Sequence, residues 1–175
     1  MAWSRILVVG SGGSGKSTLA RRIAARTGLP LIHLDTLYWK PGWVEPSKEE
    51  WKATVARLIG GERWVMDGNY GGTMPERIAA ADTVVVLDLP RVVCLWRAVR
   101  RRFEVAGRER LDMAPGCPEH LTWEFARWIW TYPATRLPAI LRRLAELRPD
   151  QRGIVLRSAA EIEAFVATLP ELEKS

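Results

Sequence analysis

Apolar residues in this chain gather into five short runs separated by longer amphipathic stretches. The runs at 5–10, 31–35, 64–67, 83–89 and 153–157 are rich in Val, Ile and Leu and too short for helices, so they read as strands. After the first run, Leu19, Ala20, Ile23 and Ala24 recur at helical spacing, while Arg21, Arg22 and Arg26 take the opposite face. Ser47 with Glu50, Thr73 with Glu76 and Ser158 with Glu161 fit the capping box at helix starts, and Gly28 followed by Pro30 closes the first helix. Strands alternating with helices predict an α/β fold with a five-stranded parallel sheet and crossover helices. At 175 residues the chain reads as one domain spanning 1–175. The interval 103–151 interrupts the alternation. Gly107, Pro115, Gly116 and Pro118 break its first part into a loop, and residues 121–147 then follow a helical pattern bent near Pro133 and Pro138. This insertion is the candidate lid.

Between the first strand and the first helix, residues 10–17 read Gly-Ser-Gly-Gly-Ser-Gly-Lys-Ser and fit the phosphate-loop pattern G-x-x-x-x-G-K-[ST] at every fixed position. Glycines let the backbone curl so that successive N–H groups face one anion, and the helix start adds partial positive charge. Gly10, Gly12, Gly13, Ser14, Gly15, Lys16, Ser17 and Thr18 are therefore the expected contacts to the phosphates of ATP or GTP, with ATP taken as the donor. Lys16 supplies a full charge to the β- and γ-phosphates, and Ser17 Oγ can hold Mg2+. The motif makes the fold class a three-layer P-loop NTPase.

Composition excludes some classes. With 47% hydrophobic and 26% charged residues the chain has the make-up of a globular protein. No apolar run approaches the ~20 residues needed to cross a bilayer, and the first strand begins too early to leave room for a signal peptide. Cys94 and Cys117 match no zinc or redox spacing, so a cytoplasmic location and no membrane partner are expected. The net charge of +6 is concentrated: residues 91–110 hold seven arginines against Glu104 and Glu109. Such a segment suits polyphosphate in a pocket or DNA on a surface. Arg97 and Arg101, four apart, share a helix face, and planar guanidinium groups suit bidentate phosphate contact. They are the candidate catalytic cations beside Lys16. Arg100 and Arg102 are expected toward solvent.

Three strands end in aspartate, at Asp35, Asp67 and Asp88. Ligands of open parallel sheets bind at the carboxyl ends of strands, where the phosphate loop also lies, so Asp35 and Asp67 are expected near the phosphates. Asp88 before Leu89-Pro90 fits a helix N-cap instead. Asp35 is placed to accept a hydrogen bond from an acceptor hydroxyl. Trp39 and Trp43 follow it, and their faces suit either stacking on an acceptor or closing the core. Trp123, Arg127 and Trp130 form one helical stripe and Phe125, Ile129 and Tyr132 another. Aromatic stripes of this kind usually face the core, although Arg127 has the length to reach phosphate.

Several segments resemble a known family. Asp67-Gly68, and Asp88-Leu-Pro90 followed by Arg97 and Arg101, are similar to segments of nucleoside monophosphate kinases. There the Asp approaches the Mg2+ shell through water and the arginines engage the nucleotide at the lid. The chain more closely resembles the bacterial DNA topology modulation proteins, FlaR-like and related to adenylate kinase. The segments that carry this are His33-Leu-Asp35 with Trp39-Lys-Pro-Gly-Trp43, Asp67-Gly-Asn-Tyr70-Gly, Gly116-Cys-Pro-Glu119, Trp123-Glu-Phe-Ala-Arg127-Trp-Ile-Trp130 and Ile154-Val-Leu-Arg157-Ser158. The resemblance implies an ATP- and Mg2+-dependent phosphotransferase acting on a small-molecule or nucleotide acceptor. Asp67 and Ser17 would serve the metal, and Asp35, Trp39, Trp43, Tyr70 and Arg127 the acceptor. Asp67-Gly-Asn-Tyr70 stands where adenylate kinases carry Asp-Gly-Phe-Pro-Arg, so the arginine that clamps AMP is absent from that segment. The competing expectations are a nucleic-acid-associated ATPase using the basic segment and a nucleotide-binding regulator of low turnover.

Overall fold

The computed structural model describes residues 3–104, 113–117 and 121–170. Five strands, β1 (Arg5–Gly10), β2 (Leu31–His33), β3 (Trp64–Asp67), β4 (Thr83–Leu87) and β5 (Arg152–Leu156), form one parallel sheet in the order β2-β3-β1-β4-β5. Pleating sends alternate residues of β1 to opposite faces. Leu7 and Val9 join a core with α3 (Lys48–Ile59), α4 (Met74–Ala80), α6 (Trp123–Thr135) and α7 (Leu137–Ala145). Ile6 and Val8 pack on α1 (Lys16–Thr27) and α8 (Ala159–Ala167). A third cluster joins α5 (Arg91–Glu104) to α6 through Cys94, Ala98 and Ile129. This is the three-layer P-loop NTPase fold read from the sequence. Among the described residues no helix is long and apolar enough to cross a membrane.

Boundaries differ in ways that local chemistry explains. The second strand stops at His33, because residues 34–38 turn into the short helix α2 (Leu34–Tyr38). Thr36 Oγ1 donates to the His33 carbonyl at 2.7 Å, and Leu34 is fully buried. Asp35 therefore sits in a helical first turn, not at a strand end. The fourth strand ends at Leu87 and the fifth runs from Arg152 to Leu156, each within two residues of expectation. Asp88 is not the cap of α5: the Cys94 N–H bonds the Pro90 carbonyl, while the Asp88 carboxylate lies 3.4 Å from Arg157 Nε. Ser47 forms the full capping box. Ser158 accepts from the Glu161 N–H, but Glu161 reaches back to the Arg157 N–H. Thr73 makes no cap bond and donates instead to the Tyr70 carbonyl at 3.3 Å. Gly28 closes α1 at φ 67°. Pro133 lies inside α6, and the helical break falls at Arg136, with Pro138 in the first turn of α7. Gly107, Arg108, Arg110 and Pro118 lie outside the described residues.

The connection from β1 to α1 is crowded on two sides. A Cβ on Gly12 would stand 2.6 Å from Phe125 Cζ on α6. A Cβ on Gly13, at φ 74°, would stand 2.0 Å from the Cys94 carbonyl oxygen on α5. A helix carbonyl cannot withdraw without breaking its ladder. Gly13→Ala should therefore cost about 1–3 kcal/mol of stability by urea titration. An unchanged midpoint would show that α5 is not seated on the loop.

Candidate functional site

The phosphate loop is shaped before any ligand arrives. Gly15 at φ 90° opens α1 without a side-chain cap, so the first-turn N–H groups stay available. Ser14 N–H donates to the Ser11 carbonyl at 3.2 Å. The hydroxyls of Ser11 and Ser14 are buried and lack a hydrogen-bond partner among the described residues. Buried polar atoms of this kind are exceptional and mark a place where a ligand or water completes the bonding. Lys16 and Ser17 are half-buried and Thr18 is exposed.

Beside the loop lies a cavity of about 520 Å³, lined by Gly13, Ser14, Gly15 and Thr18 and, across from them, by Arg97 and Arg101. Arg97 Nη1 would lie 3.8 Å from a Cβ on Gly15, so its guanidinium reaches the loop. Burial raises the Cys94 thiol pKa, against the opposing charges of Arg97 and Lys16. Both cations thus stand near one thiol behind the loop. Arg22 and Glu163 close the far wall with two bonds of 2.7 and 2.6 Å. Arg100, expected toward solvent, stays largely exposed but also lines the cavity, paired with Glu104 at 2.5 Å and 5.4 Å from the Trp96 ring. Arg102 is exposed, as expected.

Asp67, at the end of β3, is 3% exposed, with Oδ1 2.6 Å from His33 Nδ1. Strand register sets this pair side by side, because His33 is the partner of Asp67 in the parallel ladder. The other Asp67 oxygen makes no hydrogen bond among the described residues. Mg2+ keeps most of its shell as water and phosphate oxygen and needs only one or two protein oxygens. The hydroxyl of Ser17 and this carboxylate, acting through water, fit that demand. Among the described residues no group of three His, Cys, Asp or Glu could hold a metal by itself.

The second edge of the site is built on Asp35. Tyr70 Oη donates to Asp35 Oδ1 at 2.5 Å. Burial, then the Asp35 charge, pushes the Tyr70 pKa well up, so its hydroxyl keeps the proton it donates. Tyr70 packs on Tyr38 at 4.4 Å and on Trp51 at 5.0 Å between ring centroids. Tyr38 meets Trp39 edge-on at 5.0 Å, and Trp39 meets Trp43 at 5.1 Å. Trp39 and Trp43 are thus half-buried parts of one continuous aromatic wall. Trp43 holds φ 63°, unusual for a bulky residue, and its buried indole N–H has no partner among the described residues. The Gly116 carbonyl accepts from the Gly42 N–H at 3.1 Å, tying residues 113–117 to this wall.

Arg127 is not brought to the site. It stands exposed on α6, between Trp123, 78% exposed, and Trp130, 43% exposed. Arg91 lies 4.2 Å from the Trp130 ring. That stripe faces solvent, contrary to expectation. The Phe125, Ile129 and Tyr132 stripe is the one turned inward, and it meets the phosphate loop at Gly12.

Two residues at the centre of the site went unnoticed in the sequence. Asn69 clasps the last residue of β1: its Nδ2 donates to the Gly10 carbonyl at 2.8 Å, and its Oδ1 accepts from the Gly10 N–H at 3.3 Å and from Tyr132 Oη at 3.2 Å. Arg77 is fully buried. It donates to the carbonyls of Gly68 at 2.8 Å, Tyr70 at 2.8 Å and Thr73 at 3.3 Å, and to that of Asn69. Burial lowers its pKa to about 10, so it stays charged at neutral pH. Signals existed. Asn69 is one of only two side-chain amides in the chain, and Arg77 shares a helix face with buried Met74 and Ile78.

No protein-family model and no curated protein matches the chain. Solved structures do. A shikimate kinase from Acinetobacter baumannii, in complex with shikimate, superposes with a TM-score of 0.62 at 17% identity, over 93% of this chain and 89% of that one. The chain has the fold of the P-loop kinases. A shikimate kinase from Bacteroides thetaiotaomicron (TM-score 0.54, 19% identity, 96% of each chain) and a gluconokinase from Sinorhizobium meliloti 1021 (0.51, 20% identity, 95% of this chain and 93% of that one) share it.

Removing the guanidinium strands several buried carbonyls. Arg77→Met should cost about 3 kcal/mol or more. Arg77→Lys should recover only part, since one ammonium cannot span carbonyls from Gly68 to Thr73. Urea titration of both variants checks this, and a neutral Arg77→Met would refute it.

Proposed function

We propose that this protein is an ATP-dependent phosphotransferase that acts on the hydroxyl of a small molecule. The finer reading places it in the cytoplasm, among the DNA topology modulation proteins related to adenylate kinase. The observation that carries the proposal is the two-sided site. A phosphate loop faces Arg97 and Arg101 across one cavity, and a carboxylate held by a protonated tyrosine stands in the first turn of α2, just after β2.

Each residue has a physical task. Loop N–H groups and Lys16 hold the β- and γ-phosphates, in a geometry that crowding at Gly12 and Gly13 has already fixed. Arg97 and Arg101 spread positive charge over the triphosphate from the other side. Mg2+ would be held by Ser17 and, through water, by Asp67, and supplies further charge to the phosphates. Asp35 accepts the hydrogen bond of the acceptor hydroxyl and orients its oxygen in line, while Tyr70 fixes the rotation of the carboxylate. Trp39 and Trp43 face the acceptor body. The nucleic-acid reading loses support because Arg97, Arg100 and Arg101 line the cavity.

Transfer of label from γ-labelled ATP, over a panel of acceptors, tests the reading. Lys16→Ala should fold and lose at least ~100-fold in transfer. Near-normal turnover would sink the assignment. Asp35→Asn keeps shape and removes charge. It should leave ATP affinity by calorimetry unchanged and lower transfer far more than background hydrolysis. Equal loss of both would move Asp35 to the metal site.

A further inference from the structure

Charge is divided unevenly between the two edges of the site. The nucleotide cavity is lined by four arginines, Arg22, Arg97, Arg100 and Arg101, against two carboxylates, Glu104 and Glu163. On the Asp35 edge, residues 35–51 carry two lysines against four carboxylates, Asp35, Glu45, Glu49 and Glu50. Of the two, Lys40 lies 3.8 Å from the Glu50 carboxylate, and both are exposed. Burial, then the neighbouring Glu45 carboxylate, raises the Tyr38 pKa. The guanidinium under this edge, Arg77, has all three nitrogens committed to backbone carbonyls and no exposed surface. The aromatic wall from Tyr70 to Trp43 adds ring faces, whose quadrupole attracts C–H groups and cations and repels anions. One oxygen of Asp35 is held by Tyr70, and the other makes no hydrogen bond among the described residues.

On the phosphotransferase reading above, we infer that the acceptor is a hydroxyl compound without negative charge, either neutral or amine-bearing. An anionic acceptor would bring its charge beside Asp35, on a stretch whose four carboxylates outnumber its two lysines, and like-charge juxtaposition is strongly unfavourable. The wall thereby selects against sugar acids and nucleoside monophosphates and for their uncharged or amine-bearing counterparts.

Two measurements test this on the intact protein. The first is collisional quenching of tryptophan by iodide and by caesium. The emission lost in Trp39→Phe and in Trp43→Phe isolates the wall, and that lost in Trp96→Phe isolates the arginine side. The iodide-to-caesium quenching ratio should be at least ~3-fold lower for the wall than for Trp96. An equal or higher ratio overturns the assignment. The second is label transfer from Mg·ATP to members of matched sets: gluconate, glucose and glucosamine, and AMP beside adenosine. Within a set the uncharged or amine-bearing member should be labelled at least ~10-fold faster than the anion. A faster anion overturns the inference. If no member is labelled while the quenching ratio holds, the phosphotransferase reading loses its support and the charge assignment stands.

Discussion

Backbone crowding around residues 10–15 is the constraint on which the rest of the structure depends. The loop has helices on two sides, and at Gly12 and Gly13 there is no space for a single carbon. That contact aligns α5 and α6 with the end of β1, and so brings Arg97 and Arg101 to the cavity. The buried hydroxyls of Ser11 and Ser14 left without partners are the other side of this arrangement, since a loop curled to face an anion cannot also satisfy its own polar groups. Loop shape, arginine position and orphaned hydroxyls are one fact seen three ways.

A second constraint links the loop to the Asp35 edge. The turn after β3 has little hydrophobic content with which to hold a shape. Its conformation is set by Arg77, whose fork binds carbonyls along the turn from below. With the backbone so fixed, Asn69 points at Gly10 and Tyr70 at Asp35. A guanidinium suits this work because its donors are planar and rigid, whereas a hydrophobic plug would leave the carbonyls bare.

Much of the fold was legible in the sequence because its signals are local. Strand runs, the phosphate-loop spacing and the Gly28 cap depend on neighbours a few residues away. Asp35 was read as the end of a strand, but it stands in the first turn of a short helix. Whether residues 34–35 extend a strand or start a helix turns on Leu34 finding a core pocket, which is a tertiary fact. Exposure of Trp123 and Trp130 was illegible for the same reason. Both stripes of α6 are aromatic, and only the packing against Gly12 decides which one turns inward. Asn69 and Arg77 were missed because nearly all their partners are backbone atoms, and backbone atoms have no sequence signature.

The aromatic wall is set apart along the chain from the nucleotide side. Asp35, Tyr38, Trp39 and Trp43 lie on one uninterrupted stretch between β2 and α3, while the phosphate loop and its arginines belong to β1, α1 and α5. Selection can therefore redraw that stretch, or replace it whole through recombination, without disturbing the machinery that grips the triphosphate. Tyr70, after β3, and Trp51, on α3, reach across from other elements to meet it. Lineages that diverge from this chain should keep one half of the molecule and trade the other.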